Sequence, residues 1–361
     1  MRDTLEAGQL SEATTEAPRP PRGLRLVRSG RLAPIRIGRL LRSAESVAFS
    51  VVAAPLVARL PASLAYRIAC WRGDWCFRFR ATKRADVMRN LRGALGDELG
   101  PDEAKCLARE FFRMISCELI DVIRLRGEAR SLGKLVEIRG SEHLDAALAE
   151  GKGAILCTAH FGSYRSAFAL LNVNGYPVTP IGRSWWNYAT DKSSAERWLW
   201  DFVFTRRLRR HRHRRSIEPL PGRIQVAARA AVALRANEVV TISSDAPPLG
   251  TDRARAVEMP FLGRHVRLLP GVVGLAQLTG AQVLMMFMYR SADYHHQVLE
   301  ISPPVPMEGE TATAFGRCVA AMDAAVKRRP ADWWYWADTE DLCSLGLLPA
   351  ASPNATVSVS P

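Results

Sequence analysis

The chain has 361 residues, 48% of them hydrophobic, which is enough for one large domain or two small ones with a substantial core. Its formal net charge of +14 concerns partners rather than fold, and both nucleic acid and an anionic membrane surface attract such a protein. Seven cysteines, an odd number with no CxxC spacing, read as reduced thiols in a cytosolic chain.

In chain order, 1-MRDTLEAGQLSEATTEAP-18 is acidic and polar, has no apolar h-region and is not a secretory signal. Residues 1–23 read as disordered. The segment 24-LRLVRSGRLAPIRIGRLLRS-43 differs. Between Arg19 and Arg42 stand eight arginines and no acid, interleaved with Leu and Ile. Such an arm suits an anionic bilayer surface, with a solvated basic linker as the plainer alternative. The apolar run 46-SVAFSVVAAPLVA-58 has 13 residues and is broken by Pro55. A membrane-spanning helix needs about 20, so this run is either interfacial or an ordinary buried helix.

The stretches 83-KRADVMRNLRGAL-95 and 102-DEAKCLAREFFRMISCELIDVIRL-125 repeat apolar residues at three and four, the period of a half-buried helix. Beyond residue 135 the pattern changes. Short apolar runs at 153–159, 178–182, 238–244, 281–289 and 297–302 alternate with amphipathic stretches near 141–150, 164–174, 188–210, 222–236, 270–279 and 311–329. Strands alternating with helices predict an α/β fold with an at least partly parallel sheet, whose sites collect at the carboxyl ends of strands. The tail from 349 to 361 has no pattern that builds a core. The predicted organisation is an arm (1–43), one domain (44–348, helical over 44–130 and α/β over 135–340) and a tail (349–361).

His160, in 157-CTAHFGSYRSA-167, stands at the end of the first clear strand, where it can take a proton from a hydroxyl near neutral pH. The chain contains no Walker loop, GxGxxG after a strand, GxSxG elbow, HExxH or zinc-type Cys/His spacing. No nucleic-acid-binding motif accompanies the basic charge, so no nucleic-acid partner is expected.

The segment 139-RGSEHLDAALAEGKGAILCTAHFGSY-164 closely resembles the lipid A biosynthesis acyltransferase family, part of the lysophospholipid acyltransferase superfamily and related to the phosphatidylinositol mannoside acyltransferases. The resemblance is carried by Gly140, Glu142, Leu144, Ala147, Gly151, Gly153, Ile155, Leu156, His160, Phe161 and Gly162. It continues in order through 180-PIGR-183, 202-FVFTRRLRR-210, 243-SSDAPP-248, 258-EMPFLGRHVRLLPGVVGLAQLTGAQVL-284 and 328-RRPADWWYWA-337, covering roughly residues 44–340. It implies a mostly parallel mixed sheet flanked by helices, with an N-terminal helical part. It also implies transfer of a fatty acyl chain from an acyl-carrier-protein or coenzyme A thioester to a lipid-like acceptor at the cytoplasmic face of the inner or plasma membrane. No metal or bound cofactor is implied.

The family pairs its histidine with an acid five places on, and this chain has Arg165 there. A guanidinium accepts no hydrogen bond and opposes an imidazolium beside it. Three arrangements fit. Another carboxylate can orient His160, with Asp245 the best candidate and Glu258 or Asp252 next, leaving Arg165 and Ser163 for substrate. Alternatively the protein is a weakened binder of lipid or carrier, or a different acceptor or donor uses the same pocket. Arg183, Arg206 and Arg207 are implied by the resemblance as anion or oxyanion groups. The aromatic run 333-WWYW-336 reads mainly as core packing.

Overall fold

The computed structural model describes residues 52–96, 99–125, 133–182, 217, 225–248 and 250–349. Among the described residues, four helices come first: α1 (Ala54–Val57), α2 (Ala62–Phe79), α3 (Ala81–Leu95) and α4 (Pro101–Arg124). Arg80 leaves helical geometry (φ −99°, ψ 62°) and separates α2 from α3, while Gly96 ends α3. Pro101 opens α4, with Asp102 and Glu103 in the first turn against the positive end of the helix dipole. The periodic pattern holds for the first half of α4. From Ser116 to Ile123 every residue is buried, Glu118 and Asp121 included, which the amphipathic pattern did not predict. Among the described residues, no helix is long and apolar enough to cross a membrane.

The α/β part runs β1 (Val136–Arg139), α5 (Ser141–Ala149), β2 (Ala154–Thr158), α6 (Tyr164–Val173), β3 (Val178–Ile181), α7 (Gln225–Arg235), β4 (Val239–Ser243), β5 (Val257–Phe261), β6 (Arg264–Leu268), α8 (Gly271–Thr279), β7 (Gln282–Arg290), β8 (Gln297–Val305), α9 (Thr311–Arg328) and α10 (Thr339–Leu345). All five apolar runs are strands. The main sheet has six strands in the order β1-β8-β7-β2-β4-β3, and only the β7–β8 pair is antiparallel. The mixed, mostly parallel sheet flanked by helices is the predicted class. Sequence periodicity missed β1, whose four residues include Glu137 and Arg139, and the separate β5–β6 ribbon. That ribbon turns on Leu262 and Gly263, both at positive φ, as a tight two-residue hairpin requires.

β2 lies at the centre and is buried along its whole length. Ile155 and Cys157 join the apolar cluster shared with α4, α8 and α9. Ala154 and Leu156 join the cluster shared with α5 and α6. A strand buried on both faces reads as a continuous apolar run, which is why it was legible. Each Leu or Ile removed from water here contributes about 1.5–3 kcal/mol.

Register positions the site. β2 and β4 run parallel with Thr158 opposite Ser243, and the Ser244 N–H extends the ladder to the Thr158 carbonyl at 2.9 Å. His160 and Asp245 each lie two residues past the paired ends. They emerge side by side at the carboxyl edge of the sheet.

Candidate active site

The imidazole Nδ1 of His160 lies 2.7 Å from Asp245 Oδ1. The other carboxylate oxygen, Oδ2, accepts the backbone N–H of His160 at 2.7 Å and the indole N–H of Trp333 at 2.8 Å. Asp245 is buried, whereas the His160 side chain is 20% exposed. A carboxylate only accepts, so the proton sits on Nδ1 and the Nε2 lone pair is free for a proton on a substrate. Tyr164 and Tyr335 stand edge-on to the imidazole at centroid distances of 5.3 and 5.2 Å. Asp252 lies in the 3₁₀ turn Gly250–Arg255 and Glu258 on an exposed position of β5. Asp245 is the acid on the ring.

The loop carrying His160 is fixed on several sides. Gly162 has φ +54°, and a Cβ there would meet the Met288 carbonyl oxygen at 2.1 Å, so only glycine fits. The Gly162 N–H donates to the Asp332 carbonyl at 2.8 Å, and the Trp334 N–H to the His160 carbonyl at 2.9 Å. The Trp334 indole donates to the Gly162 carbonyl at 2.9 Å. The aromatic run 333–336 is thus core, as its composition suggested, and also clamps both members of the His–Asp pair.

Arg165, in the first turn of α6, turns toward α4. Its guanidinium lies 3.4 Å from Glu118 Oε1 and is flanked by the rings of Tyr164 (4.6 Å) and Trp334 (4.8 Å). Burial pushes the Glu118 carboxyl up to about 7 from the ordinary 4.5, against the pull of Arg165 and Arg290. Because this folded value lies above the unfolded one, the folded protein takes up a proton that the unfolded chain lacks between those pH values. The group's contribution to stability is complete below about pH 4.5 and is lost as pH rises through about 7. Urea midpoints from pH 4.5 to 8 are therefore expected to fall less steeply for Glu118→Gln than for the wild type. Parallel profiles would remove Glu118 as the titrating group.

Ser163, expected to meet substrate, faces the core instead and is 1% exposed. Its hydroxyl donates to Asp121 at 2.6 Å and accepts from Arg290 at 2.7 Å. Asp121 also accepts from the Tyr66 hydroxyl and the Arg290 guanidinium, and from the Gln297 amide at 3.2 Å. Burial works against the Arg290 charge, and Asp121 beside it outweighs that, keeping the guanidinium ionised. This buried network joins α2, α4, β7, β8 and the His160 loop.

The structure thus brings His160 and Asp245 together, sets Arg165 one ring away and turns Ser163 inward. Arg183, Arg206 and Arg207 lie outside the described residues, as do the predicted amphipathic stretch 188–210, the arm and the tail beyond residue 349. Sequence reasoning missed Glu118, Asp121 and Arg290. The signal was two acids inside the buried stripe of a helix and an arginine closing the apolar run of β7.

A model of the family described as "Bacterial lipid A biosynthesis acyltransferase" matches residues 39–337, which include the whole site. A lipid A biosynthesis acyltransferase of Haemophilus influenzae is 26% identical over 184 residues, 50% of this chain and 51% of that protein. The chain thus matches about half the length of this curated relative.

Proposed function

Because this chain belongs to the bacterial lipid A biosynthesis acyltransferase family, we propose that it moves a fatty acyl chain from an acyl thioester to a hydroxyl or amine of a lipid-like acceptor at the cytoplasmic membrane face. The donor is an acyl carrier protein or coenzyme A thioester. The observation that carries this reading is the 2.7 Å contact between His160 Nδ1 and Asp245.

In this reaction Nε2 of His160 takes the acceptor proton as the acceptor oxygen or nitrogen attacks the thioester carbonyl. Asp245 holds the ring and stabilises the imidazolium. The tetrahedral intermediate collapses, the C–S bond breaks, and the imidazolium returns its proton to the departing thiolate. The new ester or amide leaves with the acceptor. Arg165, held between the rings of Tyr164 and Trp334, binds an anionic group of either substrate. Arg183, Arg206 and Arg207 are further proposed anion or oxyanion groups. The basic arm before residue 44 meets the anionic membrane surface.

A non-catalytic binder of lipid or carrier would need no oriented base. Transfer from a labelled acyl thioester, offered as both coenzyme A and carrier-protein conjugates, separates the two. His160→Ala is expected to abolish the product made by the wild type. Equal rates would sink the enzyme reading.

A further inference from the structure

Helix α2 has one buried and one open face, and they differ sharply in chemistry. Ala65, Ala69 and Gly73 recur every four residues on the buried face. The seam against α4 is so close that a Cβ on Gly73 would stand 2.6 Å from the Arg113 Cα. That contact fixes which side of the helix faces outward. Outward lie Leu64, Trp71, Trp75 and Phe79, spaced seven, four and four residues apart on one stripe. Trp71 is 76% exposed and Phe79 59%. Large aromatic side chains rarely remain so open unless something covers them.

The charges beside the stripe identify the cover. Arg67 and Arg78 are exposed along it. The helix has a single acid, Asp74, which is held by Arg109 and Arg113 of α4 at 2.6–2.8 Å. The outward face is therefore apolar, aromatic and cationic, without an exposed acid. Just before it, α1 leaves Leu56 61% exposed. The sequence that precedes α1 carries eight arginines and no acid between Arg19 and Arg42. Tryptophan at the headgroup level, flanked by arginine, is the composition that lies in an anionic bilayer interface.

The geometry points to the open face of α2 as a docking surface for an anionic lipid bilayer, with Trp71, Trp75 and Phe79 entering the interface and Arg67 and Arg78 pairing with headgroups. This rests on the proposed lipid-acceptor chemistry only for its purpose. The face docks lipid whether or not the site transfers acyl groups. Its position suits that purpose, because the Tyr66 hydroxyl of the same helix donates to Asp121, the carboxylate that also binds Ser163 of the His160 loop. Docking through α2 holds the site at the surface where a lipid acceptor resides.

The test uses the full chain with vesicles of phosphatidylcholine alone or mixed three to one with phosphatidylglycerol, a proportion of roughly the anionic content of cell membranes. Binding is read by co-sedimentation and by quenching of tryptophan fluorescence with bromolipids. Wild type is expected to bind the anionic vesicles and to be quenched. The Trp71→Ser/Trp75→Ser/Phe79→Ser variant is expected to lose at least about tenfold in affinity, with an unchanged melting temperature because the side chains are exposed. Arg67→Ser and Arg78→Ser should each lose about fivefold, on anionic vesicles only. A chain starting at residue 44 should bind more weakly yet still be quenched. The proposal is overturned if the aromatic variant binds as the wild type does. It is also overturned if wild type ignores vesicles and self-associates through this face, seen as a dimer that the variant loses. Retained vesicle binding without acyl transfer would sink the enzyme reading and leave this one standing.

Discussion

Asp245→Asn is expected to slow acyl transfer by about 10⁴-fold while leaving the protein folded. The expected size follows from how the carboxylate is held. Oδ2 accepts two fixed donors, the His160 backbone N–H and the Trp333 indole N–H. In the amide, the single carbonyl oxygen takes that position, and the NH₂ group is turned toward Nδ1. Nδ1 then has to accept, the ring proton moves to Nε2, and the base is lost without any displacement of the ring. Turnover of a labelled thioester measures the loss. Near-ultraviolet circular dichroism, which reports the tryptophan surroundings, should stay unchanged. A variant within tenfold of wild type would show that Asp245 does not set the tautomer.

The second large effect is on stability. Arg290 and Asp121 form an ion pair almost wholly out of water, 4% and 0% exposed. Removing one partner leaves the other charge buried alone, which costs about 3–5 kcal/mol. Arg290→Met should lose that much in chemical denaturation, and Asp121→Leu a similar amount. The double variant should lose clearly less than the sum, because no lone charge remains. Tyr66 and Ser163 still lose a partner, so recovery is partial. Strict additivity would mean the two residues are not coupled. Ser163 belongs to this network and sits three residues from His160, so acyl transfer should fall in the single variants even where they remain folded.

Arg165 takes its meaning from the same pair of observations. Its guanidinium faces Glu118 on α4, and the acid that reaches His160 comes from the loop that follows β4. Position 165 holds a cation between the rings of Tyr164 and Trp334.

The amphipathic spacing of α3, of the first half of α4 and of α5 to α9 came through in the sequence, because a half-buried helix must repeat every three to four residues. Five of the six strands of the main sheet came through as apolar runs, because strands in a mostly parallel sheet covered by helices carry few charged residues. β1 and the β5–β6 ribbon did not, because short or ribbon strands carry charges on their open sides. The family resemblance was likewise readable, and His160 and Asp245 could both be named as candidates. Distances along the chain could not show that His160 and Asp245, 85 residues apart, meet. That depends on the in-phase parallel register of β2 and β4. Nor could sequence show that Ser163 turns inward or that Glu118 lies against Arg165. Both depend on which way α6 faces when it packs on α4, and a helix pattern fixes a buried stripe but not the partner that buries it.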